Sequence, residues 1–118
     1  MTDILESSSL PGLLSGAWRD LRFEPFRPGV EISRLYGKAE SGASAAVLRY
    51  QPGARVPRHR HTGHETVLVL EGSQRDLRGV YRAGDVVLNL PGSMHDVTSD
   101  DGCVALVLWQ QPIEILDP

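Results

Sequence analysis

The sequence predicts an all-β fold in a single domain, and three observations carry that expectation. Short runs rich in Val, Leu, Ile and Tyr recur along most of the chain, each closed by Gly, Pro, Asp or Ser. No stretch after residue 20 keeps helical periodicity over a useful length. The glycines fall at strand ends and form no Gly-x-Gly-x-x-Gly loop, which argues against an α/β nucleotide-binding sheet with helical crossovers. What remains is a sandwich or barrel. The chain has 118 residues, enough for one core without disulfide staples.

Residues 1–20 read as an N-terminal arm and residues 21–118 as the β domain. Leu10-Pro11-Gly12-Leu13-Leu14-Ser15-Gly16 is apolar but too broken for a stable helix. Trp18, Phe23 and Phe26 can pack the arm onto its own body or cover a neighbouring subunit. Pro25, Pro28 and Gly29 punctuate the chain before the first convincing strand, residues 30–36, which alternates apolar and polar. A loop over 37–42 leads to a second strand over 43–50, ended by Gln51-Pro52-Gly53. Residues 65–71 hold the β-rich run Thr66-Val67-Leu68-Val69-Leu70, closed by Gly72. A weaker polar strand follows over 73–77. Further strands are expected over 80–82, 86–90, 95–98 and 103–109, with a last edge strand over 112–116.

The histidines are unevenly placed. Three of four lie in His59-Arg60-His61-Thr62-Gly63-His64-Glu65, and the fourth, His95, follows the turn-like Leu90-Pro91-Gly92-Ser93-Met94. If residues 59–61 are extended, His59 and His61 project from one face. Glu65 can come from the continuation of that segment, and His95 from a neighbouring strand or turn. Imidazole nitrogens with one carboxylate suit a single borderline divalent ion. Zinc and iron lead, and manganese, nickel, cobalt and copper also fit. His64 is out of phase with the pair and reads as an outer or entrance residue. Asp76, Asp85 and Asp96 read as turn formers and solvated residues. Cys103 reads as core, and Tyr50, Tyr81 and Trp109 as pocket lining or barrel filling.

The net charge of −3 argues against a nucleic-acid surface. Eleven of the twelve basic residues are arginine, and Arg55, Arg58 and Arg60 form either a solvated strand edge or a positive rim for an anion. One cysteine leaves no disulfide framework and no thiolate zinc knuckle. No apolar run reaches membrane-spanning length, and no basic-then-apolar leader opens the chain, so a cytoplasmic protein is expected.

The spacing of these residues resembles the cupin superfamily (RmlC-like). Its first motif is met by Gly53, His59-Arg60-His61, Glu65 and Gly72, and its second by Gly84, Gly92 and His95. Two positions depart from it. The usual proline is Leu90, with Pro91 shifted by one, and the usual asparagine is Ser99. The resemblance implies a double-stranded β-helix, or jelly-roll barrel, with one metal ion on His59, His61, Glu65 and His95. Over residues 18–111 the chain is further similar to the ChrR-type cupin domain of anti-sigma factors. The shared features include Tyr50-Gln51-Pro52-Gly53, Asp76-x-x-Gly79-x-Tyr81-x-x-Gly84 and Pro91-Gly92-Ser93-x-His95. The resemblance is expected to cover only the cupin half of such regulators, because the sequence offers no second His/Cys set for the helical zinc domain that holds the sigma factor.

Three functions follow as expectations. The first is a regulatory or stress-sensing cupin that binds a small molecule in its barrel and acts with a partner protein. The second is an iron-dependent dioxygenase acting on a small diketone-like or aromatic ketone substrate. The third is a barrel that the metal merely stabilises. A homodimer is expected from exposed sheet edges, with residues 10–14 and 113–116 as contact candidates. No nucleic-acid or membrane partner is expected.

Overall fold

A computed structural model describes residues 7–116 and realises the punctuated apolar runs as antiparallel strands. They are β1 (Glu24–Arg27), β2 (Val30–Tyr36), β3 (Ser44–Tyr50), β4 (Arg55–His61), β5 (Glu65–Asp76), β6 (Gly79–Arg82), β7 (Val86–Asn89), β8 (Met94–Thr98), β9 (Cys103–Trp109) and β10 (Ile113–Ile115). The order across the sheet is β1-β2-β3-β9-β5-β8-β4-β10, with β6 and β7 also paired to β5. This sheet curls on itself as the jelly roll expected from the motifs.

Strand β5 is the hinge of the architecture. Its first half pairs with β7 and β9 in one sheet, and its second half with β6 and β8 in the other. The sequence reading ended a strand at Gly72 and began a weaker one at Ser73. Instead a single strand of 12 residues turns a corner there. The register slips between Val69 and Glu71, and Gly72 adopts φ 73°. A Cβ on Gly72 would lie 2.0 Å from the Gly102 carbonyl oxygen, so only glycine lets the two backbones meet.

Strand β1 was not anticipated, because Pro25 and Pro28 read as punctuation. It forms because it lies at the sheet edge and pairs only with β2, where a proline's missing N–H costs no ladder bond.

The side chains sort by alternation. Ile32, Leu48, Val67, Val69, Ala105 and Val107 build the interior with Tyr50 and Trp109. A second apolar cluster lies on the outer face of the β3–β9 sheet, where Leu13 and Trp18 cover Val47 and Val104. Gly12 and Gly16 flank two short 3-10 turns, Leu13–Ser15 and Ala17–Asp20. Of the two fates considered for Trp18, the structure shows packing onto its own body, while Phe26 joins the interior. Each such buried side chain contributes roughly 1.5–3 kcal/mol. No helix among the described residues is long and apolar enough to cross a membrane.

Candidate metal centre

Strand β4 brings the first two histidines inside. A bulge between Val56 and His59, at Pro57, shifts the alternation so that Val56, His59 and His61 all face inward. Arg55, Arg58 and Arg60 therefore face solvent. Arg55 pairs with Asp96 and Arg60 with Glu114, which makes them a solvated outer face and corrects the alternative of a positive rim. Strand β8 pairs His95 directly opposite His59. The three rings lie edge to face with centroids 4.7–5.0 Å apart.

Each ring is held by its Nδ1 atom. His59 Nδ1 lies 2.8 Å from the Pro57 carbonyl oxygen, His61 Nδ1 3.1 Å from that of Ser93, and His95 Nδ1 2.9 Å from Asp76 Oδ2. A carbonyl or carboxylate oxygen only accepts, so in all three rings Nδ1 carries the proton and Nε2 the lone pair. One ligand atom from each ring falls within 4.8 Å of the others, and the buried Nε2 atoms of His61 and His95 have no hydrogen-bond partner. Buried lone pairs left unpaired are destabilising unless something completes them. Three converging imidazole nitrogens with their outer atoms hydrogen-bonded could hold a divalent ion. Burial pulls His59 down to about 4, so its ring is neutral and ready at neutral pH.

Glu65 enters the same space at the start of β5. Its Oε1 is 3.3 Å from His61 Nε2 and accepts from Asn89 Nδ2 at 2.9 Å. Burial raises its pKa, but the closeness of His61, with His59 and His95 behind it, leaves it below the ordinary carboxylate value. His64 stands outside, exposed and paired with Gln110.

Three partners were not legible as such in the sequence. Asp76 was read as a solvated turn former. It does accept the Arg78 backbone N–H at 2.8 Å, but its carboxylate is buried and also accepts from Tyr81 Oη at 2.9 Å and from His95. Burial raises its pKa, and these three donors together bring it below the usual value. Its phase was hidden by the corner at Gly72. Asn89 was detectable, since it sits in phase with inward-facing Val87. Ser93, whose Oγ lies 2.9 Å from His61 Nδ1, comes from the turn before His95. Asp85 and Asp96 are as expected. The first caps the Arg82 N–H, and the second pairs with Arg55 at the surface.

The two departures from the cupin motifs leave the loops intact. Gly92 N–H donates to the His61 carbonyl at 2.7 Å, so the turn with Leu90 still locks onto β4. Ser99 Oγ donates to the Ser73 carbonyl at 2.7 Å in a fully buried position.

Above the histidines lies a cavity of about 250 Å³. Its walls are mainly apolar, and Tyr50, Tyr81 and Trp109 all line it. Among its lining residues His59, Glu65 and Asn89 are buried, while Phe26, Arg27 and Ile113 are only partly buried.

The fold and the inward histidines define a cupin with a candidate mononuclear metal centre. Residues 14–112 match the family described as the ChrR cupin-like domain, and the chain belongs to that family. Among solved structures it is similar to an RmlC-like cupin of Ralstonia eutropha JMP134, at 25% identity and TM-score 0.73, over 84% of this chain and 69% of that one. It is also similar to a chain in the complex of Rhodobacter sphaeroides SigE with the anti-sigma ChrR, at 30% identity and TM-score 0.66. That match covers 76% of this chain and 49%, about half, of the other. The acetylacetone dioxygenase of Acinetobacter johnsonii shares the fold, with TM-score 0.74 at 14% identity over 99% of this chain and 81% of that one. No curated protein matches in sequence.

Proposed function

We propose that this protein is a mononuclear metal-binding cupin that takes a small organic ligand beside the ion, in a regulatory or stress-sensing role. The observation that carries the reading is the convergence of three imidazole lone pairs, two of them buried without a partner, at the floor of a mainly apolar cavity. His59, His61 and His95 would hold the ion, with Glu65 as a fourth ligand, and zinc or iron suits the set best. The bound ion supplies a Lewis-acid position for a ligand oxygen. The chain does the rest. Asp76, Ser93 and the Pro57 carbonyl fix the rings, Asn89 orients Glu65, and the apolar wall excludes water. Membership of the ChrR cupin-like family supports the regulatory side, with a separate protein as the partner. A cytoplasmic setting is in keeping with the free, buried Cys103.

A homodimer is part of this proposal. Ile113 packs against the core and Leu13 packs onto Val47 and Val104, so the contact candidates of residues 10–14 and 113–116 are partly engaged within the chain. Val86, Leu88 and Leu108 instead form an exposed apolar strip on the outer face beside edge strand β7.

A second reading, a metal-dependent dioxygenase of diketone-like or aromatic ketone substrates, is favoured by one observation. The metal-side cavity is large enough for a small substrate next to His59 and Glu65, and Glu65 is placed to accept a proton. The deciding experiment is metal content of anaerobically purified protein, followed by oxygen uptake with a panel of diketones and aromatic ketones. One equivalent of metal, lost in His59→Ala, with no uptake after iron loading, supports the sensor. Iron with ketone-dependent uptake replaces it with the oxygenase. Absence of metal at any loading overturns both.

A further inference from the structure

The cavity carries polar chemistry that metal binding does not use. Gln74 projects into it from β5, opposite Tyr81 in register, and is only 6% exposed. Its Nε2 has no hydrogen-bond partner. A buried amide that finds no protein partner is a donor kept for something else.

One charge in the cavity lining is also uncompensated. Several ionisable groups line the cavity, and most are engaged: Glu40 by Arg34, Arg75 by Asp100, and Asp76 by His95. Arg27, half-buried at the end of β1, has neither an ion pair nor a side-chain hydrogen bond among the described residues. Its guanidinium lies 4.9 Å from the centroid of the Phe26 ring, a placement that leaves its edge N–H groups free for a forked pair with an anion. Tyr50 and Glu65 line the same cavity as Arg27, and burial raises the Tyr50 hydroxyl pKa.

We infer that the ligand of this site is a small oxo acid, with its carbonyl oxygen at the metal end, an apolar body along the wall, and its carboxylate paired with Arg27, while Gln74 donates to one of its oxygens. The inference rests on the metal-site reading above. The volume of about 250 Å³ suits a small acid, being below the range of about 300–1,000 Å³ usual for drug-sized ligands. Arg27 gives the site a preference that a diketone pocket lacks: the acid over the uncharged ketone of the same body.

The test is calorimetric titration of the zinc-loaded protein with 4-oxopentanoate and 5-oxohexanoate, against 2-pentanone and 2-hexanone. Metal content is measured on the same samples. The acids are expected to bind at least tenfold tighter than the ketones. Arg27→Gln removes about tenfold of that advantage, Arg27→Lys retains part of it, and Gln74→Met weakens the acids severalfold. Arg82→Gln, an exposed arginine off the cavity, controls for net charge and leaves binding unchanged. Metal retained with acid and ketone binding alike, with no acid binding, or with Arg27→Gln matching the parent overturns this inference alone. A protein that takes up no zinc overturns the metal-site reading and this inference with it.

Discussion

Replacing Asp76 by Asn separates a histidine that is merely near an ion from one that is aimed at it. The Asp76 carboxylate accepts three hydrogen bonds, from the Arg78 N–H at 2.8 Å, Tyr81 Oη at 2.9 Å and His95 Nδ1 at 2.9 Å. An asparagine keeps one accepting oxygen, which Arg78 and Tyr81 can still share. Its amide nitrogen then faces His95 Nδ1, donor against donor. The clash is relieved if the imidazole proton moves to Nε2, and that move removes the lone pair from the metal side. Outer partners of this kind change metal affinity by about 10–100-fold, or roughly 1.4–2.7 kcal/mol. The assay is zinc and cobalt competition against a chromophoric chelator at pH 7.5. Asp76→Asn is expected in that range while far-UV circular dichroism stays native. Asp96→Asn, which breaks only the surface pair with Arg55, is expected to leave affinity unchanged. A folded Asp76→Asn protein with parental affinity would refute the argument that Asp76 sets the His95 tautomer.

Three further expectations follow from single residues. Gly72→Ala combines a positive φ with a Cβ 2.0 Å from a carbonyl oxygen, so urea unfolding should show a loss of about 2–5 kcal/mol, and a loss under about 1 kcal/mol would contradict the corner. Cys103 is buried and its thiol is pushed up to about 12 by burial, so a disulfide reagent at pH 8 should label it only as fast as the protein opens; immediate labelling of native protein would be the contrary result. His59 sits at about 4 in the folded chain against 6.5 when free, so the unfolded state takes the proton first as pH falls. The metal-free protein should hold full stability above pH 6.5 and lose on the order of 3 kcal/mol as the pH drops towards 4, a slope that His59→Gln should flatten in pH-dependent denaturation.

The readable part of this fold was its local chemistry. Glycine and proline punctuation located eight of the ten strands, because turn residues act within a few positions of themselves. What escaped depended on distant partners. β1 exists because β2 offers an edge, and β5 continues through Gly72 because Gly102 approaches from another strand. The candidate site divides in the same way. His59, His61, Glu65 and His95 were visible from spacing, and the structure brings all four into one space. Asp76 was not, since a bulge lies between it and the last residue of known phase. Gln74 was hidden by the same slip. Asn89 could have been found by carrying the alternation from Val87 two residues further.

The position of β9 has a consequence for when this site comes into being. All four candidate ligands precede β9 in the chain. Yet the strand that seats Glu65, through its pairing with Trp109, is made afterwards and must insert between β3 and β5, with Ser44 and Glu65 both meeting Trp109 across long loops. Pairings this distant in sequence form late and slowly. A folding chain therefore carries all four side chains before it owns the geometry that orders them, and the candidate site is completed only when β9 takes its place between β3 and β5.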